Sequence, residues 1–269
     1  MQYSNFFDPN EKPLEQLLPD GGFCGIFRTI GCVGDSLSSG EFQTKRSENA
    51  FRYTDMFEYS WGQFMARTIG SNVYNFSKGG MTARQYMESF AEEKGFWDPQ
   101  LACQAYIIAL GVNDIGKGHP MGSIEDITPD WRQNGDTFVG NYGAIIQRLK
   151  EIQPGAKFFL MTHPRWANNR ESTEQYQQLT ELIYAIAGHF ENCYVMDLFQ
   201  YAPPFDQVFQ DNFLLHRHGT PTGYLLAAKM IMSYMDYIIR HNMEDFKMVG
   251  FIGREHLLDQ DVVYQVVTE

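Results

Sequence analysis

Five short apolar runs, separated by stretches long enough for a helix, constrain this chain more than any other feature. They are residues 27–33, 72–76, 105–110, 157–162 and 194–197. Between them apolar side chains recur at spacings of three and four. Examples are Phe57, Trp61, Phe64 and Met65 within 56–69, and Val139, Tyr142, Ile145, Ile146 and Leu149 within 136–152. Further helical stretches cover about 82–93, 172–190 and 223–242. Buried strands read as continuous apolar runs, whereas surface helices read with a period near 3.6. Strands that alternate with helices are joined by right-handed crossovers and so form a parallel sheet with helices on both faces. The expected fold class is α/β: a doubly wound three-layer sandwich on a five-stranded parallel sheet. One domain over residues 1–269 is expected, with an N-terminal arm (1–22) and a C-terminal extension (243–269).

The chemistry gathers where these runs end. After residue 33 polarity changes abruptly to Gly34-Asp35-Ser36-Leu37-Ser38-Ser39-Gly40. A strand ending this way can expose a small hydroxyl at the carboxyl edge of the sheet, where open α/β folds hold their ligands. Ser36 therefore reads as a nucleophile, although the same residue types also make an ordinary turn. Gly79-Gly80 follows the second run and Asn113 the third. The carboxyl ends of the strands share one edge, so Ser36, Gly80 and Asn113 could surround a single crevice. The residue types suit acyl transfer: N–H groups of Ser36 and Gly80 and the amide of Asn113 could stabilise an oxyanion. The plainer readings are a turn glycine at 80 and a helix cap or Asx turn at 113. A serine nucleophile needs a base. His218, just ahead of the last helix, is the first candidate; His216 is its immediate rival. His163, after the fourth run, could instead line a substrate pocket.

Together these blocks resemble the SGNH hydrolases, the GDSL family of esterases and lipases. Gly34-Asp35-Ser36-Leu37 looks like the block that names the family and implies Ser36 as nucleophile. Gly79-Gly80-Met81-Thr82 is similar to the second block and implies Gly80 as an oxyanion donor. Gly111-Val112-Asn113-Asp114 matches the third and implies Asn113 as another. His218 with Gly223-Tyr224 resembles the last and implies His218 as the base. The resemblance spans residues 29 to about 240 and implies a flavodoxin-like SGNH hydrolase fold. There are two departures. Leu215 stands where the family places an aspartate, three residues before the histidine. The imidazole is then held by a backbone carbonyl in a Ser-His dyad, or Asp211 loops back to it; Asp206 lies further off. Residues 41–55 and 115–135 are long, without a clear period, and could form a lid or substrate wall. The α/β-hydrolase pattern Gly-x-Ser-x-Gly is absent around Ser36, because Ser38 takes the place of its second glycine.

The expected activity is hydrolysis of a carboxylic ester through an acyl-enzyme on Ser36, with a short acyl group such as acetyl on a carbohydrate. Trp131, Trp166 and Tyr53 could stack on a sugar, and His163 and Trp166 are the candidate substrate contacts. A lipase or lysophospholipase, or a catalytically impaired ligand-binding module, are the rival readings. The net charge of −12 argues against nucleic acid as a partner. No apolar run is long enough for a membrane span. Cys24, Cys32, Cys103 and Cys193 lack metal-ligand spacing, and no cofactor is implied. The absence of a signal-like start suggests the cytoplasm, and the apolar last helix allows a homo-oligomer.

Overall fold

The computed structural model describes residues 8–48, 50–167 and 170–258. Its strands are β1 (Thr29–Gly34), β2 (Glu41–Ser47), β3 (Ala50–Asp55), β4 (Asn72–Ser77), β5 (Ala105–Ala109), β6 (Lys157–Met161), β7 (Cys193–Met196), β8 (Leu214–Leu215) and β9 (His218–Gly219). Five of them form the expected parallel sheet, in the order β4-β1-β5-β6-β7. The chain leaves β1 to one side for β4, then returns to the other side for β5. That reversal puts the topological switch point at the end of β1, where Ser36 lies.

Strand alternation sorts the core into two layers. Ile30, Cys32, Ala105, Ile107, Phe159 and Met196 face the long last helix Pro221–His241 and the helix Trp61–Ile69. Val33, Tyr106, Ile108, Phe158 and Leu160 face the helices Phe138–Ile152 and Arg170–His189. With helices on both sides, neither face of a strand needs polar residues, so the runs are legible as apolar. Gly31 is glycine for a packing reason. A Cβ there would lie 2.7 Å from the Tyr106 ring and 2.9 Å from that of Phe76.

The regions without a clear period resolve differently from expectation. Residues 41–55 form an antiparallel hairpin, with Glu41 opposite Asp55 and Gln43 opposite Tyr53. Among its described residues only Gln43 is buried, so the hairpin carries no apolar alternation to read. Residues 115–135 make short turns tied to the helix Phe138–Ile152. Asn134 donates to Gly140 O and Gln147 Oε1, and Gly135 N to Asp126 O. These bonds pin the segment to that helix. Trp131 donates to Glu151 and is flanked by the guanidinium groups of Arg132 and Arg148, so it is no platform for a sugar. In the C-terminal extension the apolar stretches 248–252 and 261–267 read from the sequence as edge strands or subunit contacts; in the structure Val249–Phe251 form a turn of 3-10 helix. Val249 O and Ile252 O accept from Gln104 Nε2, closing the amino end of β5, opposite the strand ends that bear Ser36. The other strand-like stretch of the tail, 261–267, lies outside the described residues. Part of the arm rests on the last helix, through Leu18 N to Ser233 Oγ and an ion pair of Glu11 with Arg240.

Candidate active site

Ser36 opens a single helical turn, Ser36–Ser39, directly after β1. Asp35 caps this turn by accepting from Leu37 N at 3.0 Å, and Gly40, at φ 75°, closes it. Only glycine takes that left-handed backbone without strain. Ser36 is half-buried, and neither its hydroxyl nor its N–H has a hydrogen bond among the described residues. Ser39 Oγ donates to Asp55 Oδ1 at 2.6 Å, which ties the serine turn to the far end of the hairpin.

Gly80 follows β4 at φ 70° and is exposed. A Cβ at Gly80 would meet no atom within 4 Å, so its backbone borders open space. Its N–H has no partner among the described residues, and its carbonyl accepts from Lys117 Nζ at 2.9 Å. Asn113, after β5, donates from Nδ2 to Asp35 Oδ2 and to Met81 O, both at 3.1 Å. These bonds bind the ends of β1, β4 and β5 together, and they commit both amide hydrogens. Beneath them buried Asp114 accepts from Ala83 N. Burial pushes the Asp35 carboxyl up to about 6; Asp114 adds to this and the Leu37 N–H opposes it.

His218 sits in β9, one turn ahead of the last helix, whose cap Thr220 accepts from Gly223 N. Gly223 lies against the preceding loop: a Cβ would come within 2.1 Å of Phe213 O. Tyr224 OH donates to Glu41 O at 2.6 Å and so fastens the hairpin to the histidine loop. β9 packs against both the serine turn and β2. His218 Nδ1 lies 3.1 Å from Gln43 Oε1, and Nε2 lies 3.2 Å from Glu41 Oε1. Burial pushes the imidazole below the usual histidine range, Asp55 pulls it upward and Arg217 lowers it. The Glu41 carboxyl is pushed up to about 7 by burial, then by Asp55 and Asp35. It occupies the space a side chain at Gly79 would need, since a Cβ there would lie 2.2 Å from Oε2.

Asp211 does not reach this cluster. It is exposed on the helix Gln207–Phe213 and accepts from Gln207 Nε2 at 2.7 Å. The groups at His218 are instead Glu41, Gln43, Tyr53 and Asp55, all from the hairpin; of these the sequence reading singled out Tyr53 alone, as a sugar platform. Tyr53 is 54% exposed and presents its ring 6.0 Å from that of His218. His216 packs its ring on Phe51.

Beside Asp35 and Leu37 a small pocket of about 50 Å³ opens between the ends of β1, β5 and β6. Asp35, Leu37, Val112, Met161, His163 and Leu179 are among its walls. His163 Nδ1 lies 2.6 Å from Pro164 O, and burial pushes this histidine down to about 4, so it is a neutral wall residue at ordinary pH. Trp166 packs on Phe205, which also touches the His163 ring. Among the described residues no group of three or more His, Cys, Asp or Glu could hold a metal ion. Nor is any helix among them long and apolar enough to cross a membrane.

Several solved structures share this arrangement of sheet and helices. One crystal structure matches with a TM-score of 0.58 at 22% identity, over 78% of this chain and 96% of its own. A carbohydrate esterase family 2 enzyme with a carbohydrate-binding domain, from Corynascus thermopiles (Myceliophthora fergusii), matches with a TM-score of 0.56 at 14% identity, over 79% and 66%. A family two carbohydrate esterase from Clostridium thermocellum, in complex with cellohexaose, matches with a TM-score of 0.55 at 16% identity, over 87% and 66%. The chain thus spans about two-thirds of each of these two esterases. No curated protein matches the sequence. Residues 32–226 match the GDSL-like lipase/acylhydrolase family, and this stretch carries every block described above. The chain belongs to that family and is a carboxylic ester hydrolase.

Proposed function

We propose that the protein is a serine esterase for short acyl groups, with acetyl esters of carbohydrates as its substrate class. Ser36 Oγ attacks the ester carbonyl while His218 Nε2 takes its proton and then returns it to the leaving alcohol. Water, activated by the same nitrogen, releases the acyl group. The unspent N–H groups of Ser36 and Gly80 donate to the oxyanion. Asn113 joins them by releasing one of its two present acceptors, Asp35 Oδ2 or Met81 O. The imidazole turns from Glu41 towards Ser36, on the turn against which β9 packs, to act.

The observation that carries the chain-length assignment is the pocket beside Asp35 and Leu37. At about 50 Å³ it is a small recess, which favours a short acyl group. Exposed Tyr53 beside His218, and the carbohydrate esterases that share the fold, make a sugar acetate the first natural substrate to try.

The test is hydrolysis of p-nitrophenyl esters from acetate to dodecanoate, with fluorophosphonate labelling, for the native protein, Ser36→Ala and His218→Ala. Turnover that peaks at two to four carbons and is lost in both variants is expected. A peak at long chains favours a lipase. Labelling or turnover that survives Ser36→Ala refutes the nucleophile.

A further inference from the structure

Leu215 leaves the family's usual place for an acid apolar, yet a base needs its imidazole held in one tautomer. We propose that Gln43, on the β2–β3 hairpin, is the positioning residue that holds His218 with its proton on Nδ1. The inference rests on the esterase reading only for its kinetic consequence; the tautomer is a property of the site itself.

Neighbours of fixed polarity decide which end of the Gln43 amide is oxygen. The backbone N–H of Arg217 can only donate, and it points at the Gln43 atom 3.2 Å away, which must therefore be the oxygen. At the other end Gln43 Nε2 donates to Tyr53 OH at 3.2 Å. The same oxygen lies 3.1 Å from His218 Nδ1. Facing an acceptor, Nδ1 carries the hydrogen, and the lone pair of the neutral ring is then on Nε2. That is the tautomer in which Nε2 can take a proton from Ser36. Gln43 is 5% exposed, so the arrangement is shielded from water that could replace it. The acceptor is a neutral amide where the family pattern has a carboxylate; it fixes the ring without adding charge.

Glu41 is the obvious rival for this role, and its geometry excludes it. Its carboxyl meets Nε2, the nitrogen that must stay free for the serine. An ionised Glu41 beside a neutral ring would favour the opposite tautomer, with hydrogen on Nε2. Gln43 and Glu41 are both satisfied only when the ring is imidazolium, or when Glu41 is itself protonated. The groups that face His218 or the pair are Glu41 from β2, Tyr53 and Asp55 from β3, Arg217 beside it, Asp35 from the serine turn and Tyr224 from the last helix.

The experiment combines nitrogen NMR of ¹⁵N-histidine-labelled protein with kinetics. The signals missing from the spectrum of His218→Ala identify this residue. In the native protein, above the pH at which the ring loses its charge and below about 7, where Glu41 still holds its proton, Nδ1 is expected to be the protonated nitrogen. In Gln43→Met the population moves to the Nε2–H form, and kcat falls about 10- to 100-fold, with KM changed less than about threefold. Gln43→Glu keeps the acceptor oxygen and adds a charge. It is expected to retain activity within about tenfold of native and to move the acidic limb of kcat/KM up by about one pH unit, because a carboxylate beside the ring favours the imidazolium. A purely structural role would make Gln43→Glu as damaging as Gln43→Met and leave that limb in place. An Nε2–H ring in the native protein, or an Nδ1–H ring that survives Gln43→Met, overturns the proposal. If the tautomer responds as expected but native Ser36 neither labels nor turns over esters, the esterase reading fails and the orienting role of Gln43 stands.

Discussion

Replacing Glu41 by glutamine removes the charge from the centre of the crevice without changing its volume, and the size of the effect follows from the site. The side chain is 13% exposed. Burial, then Asp55 and Asp35, push the carboxyl up to about 7 from an ordinary value of 4.5. In the unfolded chain the proton leaves near pH 4.5, and in the folded chain near pH 7. The stability this group contributes is therefore fully present below pH 4.5 and is lost as the pH rises to about 7. A difference of about two and a half pH units corresponds to an upper limit of about 3 kcal/mol. Solvent reaching the open side of the carboxyl, and His218 beside it, reduce this to about 1–2 kcal/mol. Urea unfolding of both proteins at about pH 5 and pH 8.5 reads the effect. The stability of Glu41→Gln relative to native is expected to rise by about 1–2 kcal/mol across that window. Curves that run parallel between the two pH values refute the assignment of a buried, charge-crowded carboxyl to Glu41.

Three further outcomes follow from local geometry. Gly80→Ala forces a side chain into left-handed backbone, at a cost of about 1–2 kcal/mol. Its methyl group meets open space, so the protein should stay folded while acetyl ester turnover falls at least about tenfold; near-native turnover removes Gly80 from the oxyanion site. Leu179→Ala opens the small pocket at about 2–4 kcal/mol of stability, measured by denaturation, and should shift the preferred p-nitrophenyl ester from acetate towards butyrate or longer. An unchanged chain-length profile means the acyl group binds elsewhere. Tyr224→Phe deletes the 2.6 Å bond to Glu41 O and should cost about 1 kcal/mol in thermal or urea unfolding, with a larger fractional loss in kcat than in KM. A loss confined to KM would mean that this bond does not hold the hairpin against the histidine loop.

The sheet was legible because each of its strands is covered on both faces, so that residues such as Tyr106, Ile107 and Ile108 have nowhere polar to point. Ser36, Gly80 and Asn113 were legible for another reason. Each follows directly on a strand, and the parallel order carries three strand ends to one edge whatever the side chains between them do. The hairpin at residues 41–55 left no strand pattern because the one buried side chain among its described residues is a glutamine and most of the rest is exposed. Strand patterns are read from burial, and a hairpin that covers a site instead of a core has almost none. Gln43 lies 175 residues before His218, so no local spacing could have paired them. What the sequence did register was the missing partner: the acid expected three residues before the histidine is Leu215, and Asp211 points away to Gln207.

The place vacated by that acid remains next to the histidine. Leu215 pairs with His218 across the small β8–β9 ladder, so a side chain at 215 lies beside the imidazole in the pleat. The crevice already holds Asp35 and Glu41, both pushed up by burial and by neighbouring acids, with Asp55 close by. A further carboxylate at 215 would raise these groups again through like-charge repulsion. A neutral acceptor on the hairpin orients the ring without that cost, and Leu215 then needs only to pack. The price is a less basic histidine, since an amide oxygen stabilises imidazolium less than a carboxylate does. That agrees in direction with a ring already pushed down by burial and by Arg217. The hairpin and Leu215 are therefore two parts of one arrangement: β2 brings the acceptor, and its neighbours β3 and Tyr224 hold it against His218 Nδ1.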